Sequence, residues 1–285
     1  MLIWRIIHRA GVLSATMSDT GVSDFRLSGW AVILGASSGF GEAISLELAE
    51  RGMDICGVHL DRRSTLPNVE RITAAIVAKG RQALFFNVNA ADADRRKEVI
   101  DKLVERAGVG QVRTLVHSLA FGTLRQFISE PQGEGVTKAQ IDMTLDVMGH
   151  SLVYWSQDLV GRGLLSDGGR IFAMTSAGGR RVMPSYGPVS AAKAALESHC
   201  RQLAFELAPR GITANAINAG VTDTPALRKI PGSDRLLAIA TERNPSKRLT
   251  KPTDIAQAIA LLCHPYSRWI TGNTLLTDGG EEITA

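Results

Sequence analysis

The chain is poor in cysteine. Cys56, Cys200 and Cys263 are its only three in 285 residues, widely spaced and odd in number. That spacing and odd number fit neither a disulfide framework nor a structural zinc site, and no metal is expected. All three sit among apolar residues, the pattern of buried free thiols in a reducing cytosol, so a cytoplasmic protein is expected. Long apolar runs are missing as well. None approaches the roughly 18 residues that cross a bilayer, so no membrane span is expected. Aromatic residues make up 5% of the chain, no basic stripe interleaves with them, and the formal charge is only +4. Nothing there argues for nucleic acid. No Pro/Gly/Ser-rich linker, repeat or low-complexity block divides the chain, which leaves one domain over residues 17–285.

What is present suits a globular fold: 45% hydrophobic residues, 21% charged and 28 glycines. That composition buries a sizeable core and carries no sign of disorder. Residues 1–16 differ from the rest, mixing Leu2, Ile3, Trp4, Ile6 and Ile7 with Arg5, His8 and Arg9, and no acid precedes Asp19. A transit peptide or membrane-surface anchor fits this pattern. A start codon placed too early fits it better, because Met17 opens a polar lead of Ser18, Asp19 and Thr20.

From Trp30 onward, short β-branched runs alternate with segments of helical period. Ala31–Leu34, Ile55–His59, Ala83–Phe86, Thr114–His117, Ile171–Met174, Thr213–Ile217 and Thr274–Leu276 read as strands. Helices are expected over Gly41–Arg51, Val69–Lys79, Arg95–Arg106, Ile141–Val160, Ala191–Leu207 and Ile255–His264. Seven strands interleaved with helices imply a parallel sheet covered on both faces. The least regular stretch, Thr222–Lys251, is the place for a substrate lid. It carries Arg228, Lys229, Arg235, Arg243, Lys247, Arg248 and Lys251 against Asp223, Asp234 and Glu242. A basic rim there would steer an acidic partner, although a solvated loop accounts for the charges equally well.

The first strand runs into Gly35-Ala36-Ser37-Ser38-Gly39-Phe40-Gly41 and then a helix. Glycines there allow a sharp turn and let a pyrophosphate approach the helix N-terminus, where free N–H groups favour anions. The second strand ends at His59 and is followed by Leu60-Asp61-Arg62-Arg63. An acid at such a strand end accepts from the adenosine ribose, whereas an arginine accommodates a 2′-phosphate. Two arginines against one aspartate favour NADPH, with NADH the alternative. Tyr186 and Lys193 are seven residues apart, which on a helix returns Lys193 within about 20° of the face carrying Tyr186, roughly 10 Å along the axis. A phenol with a reference pKa near ~10 is a weak acid, and a neighbouring ammonium stabilises its charged form.

The segment Tyr186-Gly-Pro-Val-Ser-Ala-Ala-Lys193 resembles the Y-x(6)-K signature of the divergent short-chain dehydrogenases, the enoyl-acyl-carrier-protein reductases, rather than the commoner Y-x-x-x-K, whose lysine position is Ser190 here. Val116-His117-Ser118-Leu119-Ala120-Phe121 is similar to their H-S-x-x-F strand end, Ala219 to Thr224 keeps their G-x-x-x-T, and Thr277-Asp278-Gly279-Gly280 matches their closing strand. The likeness spans roughly Trp30 to Gly280 and is strongest to the NADPH-using third type. It implies a single doubly wound Rossmann-type α/β domain and NAD(P)H-dependent reduction of trans-2-enoyl thioesters. Tyr186 and Lys193 would be catalytic, and Thr175 or Ser176 would donate to the substrate carbonyl. The cofactor would lie on Gly35, Ser37, Ser38, Gly39, Phe40, Gly41, Arg62, Asn87, Val88, Ser118, Leu119, Lys193, Gly220, Val221, Thr222 and Thr224. Ordinary family members carry a catalytic asparagine on the central helix, for which the counterpart here is Met148. The partner implied is acyl carrier protein or another acyl thioester, and the assembly a homodimer or homotetramer through the helix after Lys193. Two other readings stay open on sequence alone. One is a carbonyl reductase or alcohol dehydrogenase of the same fold, and the other a non-enzymatic dinucleotide-binding regulator.

Overall fold

The structure, a computed structural model, describes residues 25–130 and 133–284, so the leader before Met17 lies outside the described residues. Seven strands form one sheet: β1 Trp30–Leu34, β2 Asp54–His59, β3 Ala83–Asn87, β4 Val112–His117, β5 Leu165–Ser176, β6 Thr213–Ala219 and β7 Thr274–Thr277. They are all parallel, in the order β3-β2-β1-β4-β5-β6-β7. Around them pack α1 Gly39–Glu50, α2 Leu66–Ala78, α3 Ala93–Ala107, α4 Lys138–Leu145, α5 Ser151–Gly161, α6 Gly187–Leu207, α7 Ser233–Arg243 and α8 Pro252–Cys263.

The two covered faces explain why the strands read as unbroken apolar runs. Every residue of β1 is buried, and successive residues serve opposite cores. Trp30, Val32 and Leu34 pack with α3, α5 and α6, whereas Ala31 and Ile33 pack with α1, α2 and α8. A third, smaller cluster of Val147, Met148, Tyr186, Val189 and Ala192 sits beyond these cores. The strand order reverses between β1 and β4, which opens a crevice at the carboxyl ends of the strands, where doubly wound sheets hold their ligands.

All seven expected strands are present. The segment expected as a helix over Ile141–Val160 is helical without a break, α4 running into α5 through a π-helical turn at Asp146–His150. The stretch expected to be irregular contains α7, an eleven-residue helix that buries Leu237 and Ala240 and is bounded by Gly232 in the left-handed region and Asn244. An apolar stripe so short gives little periodicity to read. Among the described residues no helix is long and apolar enough to cross a membrane, and no group of His, Cys, Asp and Glu is placed to hold a metal. Cys56 and Cys200 are buried and Cys263 is half-buried; all three are free, and burial pushes their thiols up to about 12, 12 and 11.

Candidate active site

A cavity of about 1000 Å³ fills the crevice, walled by the β1–α1 turn, the ends of β2, β4, β5 and β6, and the segment carrying α7. Its floor begins at the glycine turn. Gly35 has φ +87°, and a Cβ there would stand 2.3 Å from the Ser118 carbonyl oxygen. Gly39 opens α1 at φ +57°, and no side chain caps that first turn. Asn68 holds the turn from outside by donating to the Ser37 carbonyl at 2.7 Å. Ser37, Ser38 and Phe40 face the cavity. Gly41 is not on its wall; it lets α1 close on the turn, since a Cβ there would meet the Gly35 oxygen at 2.0 Å. A side-chain-free cradle at a helix N-terminus fits the pyrophosphate of a nicotinamide dinucleotide. Val88, Ser118, Leu119, Gly220, Val221, Thr222 and Thr224 line the same cavity.

At the end of β2 the wall residue is Asp61, not Arg62. Arg62 and Arg63 are exposed and stand off the wall, because the chain turns outward into α2 after Asp61. His59 Nδ1 donates to Asp61 Oδ2 at 2.9 Å. Burial pushes the Asp61 carboxyl up, but the hydroxyls of Ser37 and Thr65 and the His59 ring outweigh it and hold the group below the usual carboxylate range. Asn87 is not on the cavity wall. Its side chain bridges to Asp61 instead, accepting from the Asp61 N–H at 2.8 Å and donating to the Asp61 carbonyl at 3.0 Å. The neighbouring Asn89, which sequence reasoning missed, lines the cavity with Val88 and Ala90. Ala90 is pinned from behind by Trp155 Nε1, which donates to its carbonyl at 2.8 Å.

Tyr186 and Lys193 face one cavity, as the helical spacing predicts. Tyr186 is the residue immediately before α6, and Pro188 occupies the first turn, where its missing N–H is harmless. The preceding Ser185 holds φ +62°, a conformation that costs a non-glycine residue about 1–2 kcal/mol and recurs at functional sites. Gly178 seats the phenol ring: a Cβ there would stand 2.4 Å from Tyr186 Cε1. The electrostatics differ from the sequence expectation. Burial raises the Tyr186 pKa above that of a free phenol, and the nearby Ser176 hydroxyl offsets only part of the rise. The phenol therefore keeps its proton at neutral pH and acts as a donor. Lys193 Nζ donates to the Met174 carbonyl at 2.6 Å, and burial brings the ammonium down to about 8.

Of the two strand-end hydroxyls, Thr175 is taken, because its Oγ1 donates to Glu197 Oε1 at 2.7 Å. Ser176 Oγ is buried beside Tyr186 with no hydrogen bond of ordinary geometry. Both residues line the cavity, and the Thr175 hydroxyl is the one committed to Glu197. Met148 lies in the π-helical turn and presents a thioether to the cavity. His117 lies behind the wall, fully buried. Burial, aided by the Lys193 charge, pushes its pKa down to about 3, so the ring is neutral. Its Nε2 is 2.8 Å from Ser151 Oγ. The far end of the cavity is apolar, with Met143, Val147, Met183, Val189, Leu227 and Ile230 on its wall. The basic rim is more muted than the sequence suggests: Arg228 is paired with Asp223 and Asp234, and Arg248 with Asp254. Arg181, Lys229 and Arg243 line the cavity alongside Asp278, Glu281 and Glu282, and Arg181 is paired with Glu282.

The glycine turn at the switch point, with a tyrosine and a lysine on one helix beneath it, defines an oxidoreductase of the short-chain dehydrogenase class, which works with a nicotinamide dinucleotide. Within that class the chain belongs to the family described as enoyl-(acyl carrier protein) reductase, which it matches over residues 35–282. It is 28% identical over 258 residues to 1-cyclohexenylcarbonyl-CoA reductase of Streptomyces collinus, covering 90% of this chain and 87% of that protein. It is 29% identical over 250 residues to a 3-oxoacyl-[acyl-carrier-protein] reductase of Staphylococcus epidermidis, with 88% and 97% covered. A solved short-chain dehydrogenase from Burkholderia cenocepacia in complex with NADP superposes with a TM-score of 0.76 at 29% identity, over 91% of this chain and all of that one.

Proposed function

We propose that this protein reduces the 2,3 double bond of trans-2-enoyl thioesters, as enoyl-acyl-carrier-protein reductases do. The observation that carries the reading is the packing of a protonated, buried Tyr186 in one apolar cluster with Met148 on the cavity wall. Ketone reduction must place a proton on the very oxygen that becomes an alcohol, and that calls for a polar relay to resupply Tyr186. Enoyl reduction needs the oxygen only stabilised as an enolate, so a thioether suffices opposite it. A bound nicotinamide dinucleotide supplies the hydride. Tyr186 and the Ser176 hydroxyl beside it would donate to the thioester oxygen, where negative charge would grow as C3 is reduced. Lys193 holds the nicotinamide ribose and adds positive field, and C2 then takes its proton from water. The apolar part of the cavity accepts the acyl chain, and Lys229 and Arg243 suit the approach of an acidic carrier protein.

The dinucleotide is NADH or NADPH. An ionised Asp61 on the wall suits the free 2′-hydroxyl of NADH and repels a 2′-phosphate, so the geometry favours NADH over the NADPH that Arg62 suggests in sequence. Asp61→Ala is expected to raise the KM for NADH by about tenfold or more, the scale of a lost hydrogen bond to a charged group. The KM for NADPH should fall. Steady-state kinetics with both cofactors check this; a native preference for NADPH that disappears in Arg62→Ala would return the role to Arg62.

Matched enoyl and 3-ketoacyl thioesters of four to eight carbons test the reaction itself. The specificity constant for the enoyl series should exceed that for the ketoacyl series by at least ~10-fold, about 1.4 kcal/mol in barrier. Faster ketone reduction would move the protein to the activity named for its Staphylococcus epidermidis relative.

A further inference from the structure

The end of β5 grips two buried charges in succession. Met174 accepts from Lys193 Nζ at 2.6 Å, and the next residue, Thr175, donates to Glu197 Oε1 at 2.7 Å. Lys193 and Glu197 are four residues apart on α6, hence neighbours on one face, and both are more than nine-tenths buried. Gly179 gauges their proximity: a Cβ there would stand 3.2 Å from Glu197 Oε1 and 3.3 Å from Lys193 Cβ. Glu197 nevertheless makes no direct ion pair among the described residues, and its one hydrogen bond comes from a neutral hydroxyl. A buried carboxylate so sparsely satisfied is costly, and the fold has no evident need of it.

We propose that Glu197 is a positioning residue, whose carboxylate, fixed by Thr175, keeps the neighbouring Lys193 ammonium charged inside the cavity. This rests on the reading that Lys193 serves the dinucleotide. Burial alone works against the ammonium, and Glu197 is the group that pushes its pKa back up. The other titratable groups facing the pair give no help. His117 of β4 is neutral with its pKa near 3, the Tyr186 phenol is neutral, and the Cys200 thiol on α6 is pushed up to about 12. The network also accounts for Thr175, whose hydroxyl is committed to Glu197 rather than to substrate.

The test is a pH titration of the Lys193 side chain by NMR in the full chain labelled with ¹³C-lysine, with the signal assigned through Lys193→Met. Glu197→Gln keeps the shape and can still accept from Thr175, so the fold is retained. The Lys193 midpoint should fall by about one pH unit. If the charged form binds NADH, its Kd should then weaken ~5-fold at pH 8 and hardly at all at pH 6. Thr175→Val, which keeps the carboxylate but removes its donor, should shift the midpoint the same way by less. A midpoint unmoved in both variants overturns the proposal whatever the turnover. A shifted midpoint in a protein that reduces no enoyl thioester upholds it and sinks the substrate reading instead.

Discussion

Tyr186→Phe is expected to cut turnover by at least ~100-fold and leave dinucleotide affinity within about twofold. Its hydroxyl is the one donor that is both buried and protonated beside the unpaired Ser176, because burial raises its pKa and nothing ionised contacts it. A donor held in a dry site is worth most where charge appears, and removing one typically costs 10²–10³ in rate. The ring keeps its seat against Gly178 in the variant, so binding of the cofactor should survive. Single-turnover rates with saturating cofactor separate the two quantities. Full turnover in Tyr186→Phe would place the chemistry elsewhere in the cavity.

Lys193→Met should abolish activity and yet make the protein more stable at neutral pH. The folded pKa of about 8 lies below the unfolded reference near ~10.4. Between those values the unfolded chain binds more protons than the folded one, so stability rises with pH across that window. Below pH 8 the penalty of burying the ammonium is present in full. Methionine keeps the stem and removes the charge, forfeiting the bond to Met174, worth about 1 kcal/mol. The net gain should be roughly 2 kcal/mol at pH 7, a Tm higher by about 4–8 °C in a domain of this size. The difference should shrink as pH rises from 8 toward 10.5, where folded Lys193 is neutral and about half of the unfolded chains have lost the proton too. A lower Tm for the variant at pH 7 would make Lys193 a structural residue.

The sheet was legible in the sequence because both its faces are covered, so each strand shows as a short apolar run. Tyr186 and Lys193 were legible for a related reason, since a helical period brings seven-residue neighbours to one face. What stayed hidden depends on direction rather than on type. Thr175 and Ser176 are chemically alike, and only the strand's orientation toward α6 sends one to Glu197 and the other toward Tyr186. Asp61 and Arg62 are adjacent, and the turn into α2 decides which of them looks inward. The π-helical turn at Asp146–His150 gives no signal, because its one extra residue per turn preserves the apolar character of the segment. Gly178 carried a signal that went unused: a glycine within ten residues of the tyrosine, where a side chain would occupy the place of its ring.

The bridge from Asn87 to the Asp61 backbone has an evolutionary consequence. Because one amide side chain satisfies both the N–H and the carbonyl of Asp61, this backbone contact does not depend on the carboxylate, although the carboxylate's own bond to His59 does. On the role proposed for Asp61, a substitution there would alter how the coenzyme is recognised while the backbone that presents the residue stays clamped, which leaves evolution room to change the electron donor without rebuilding the loop.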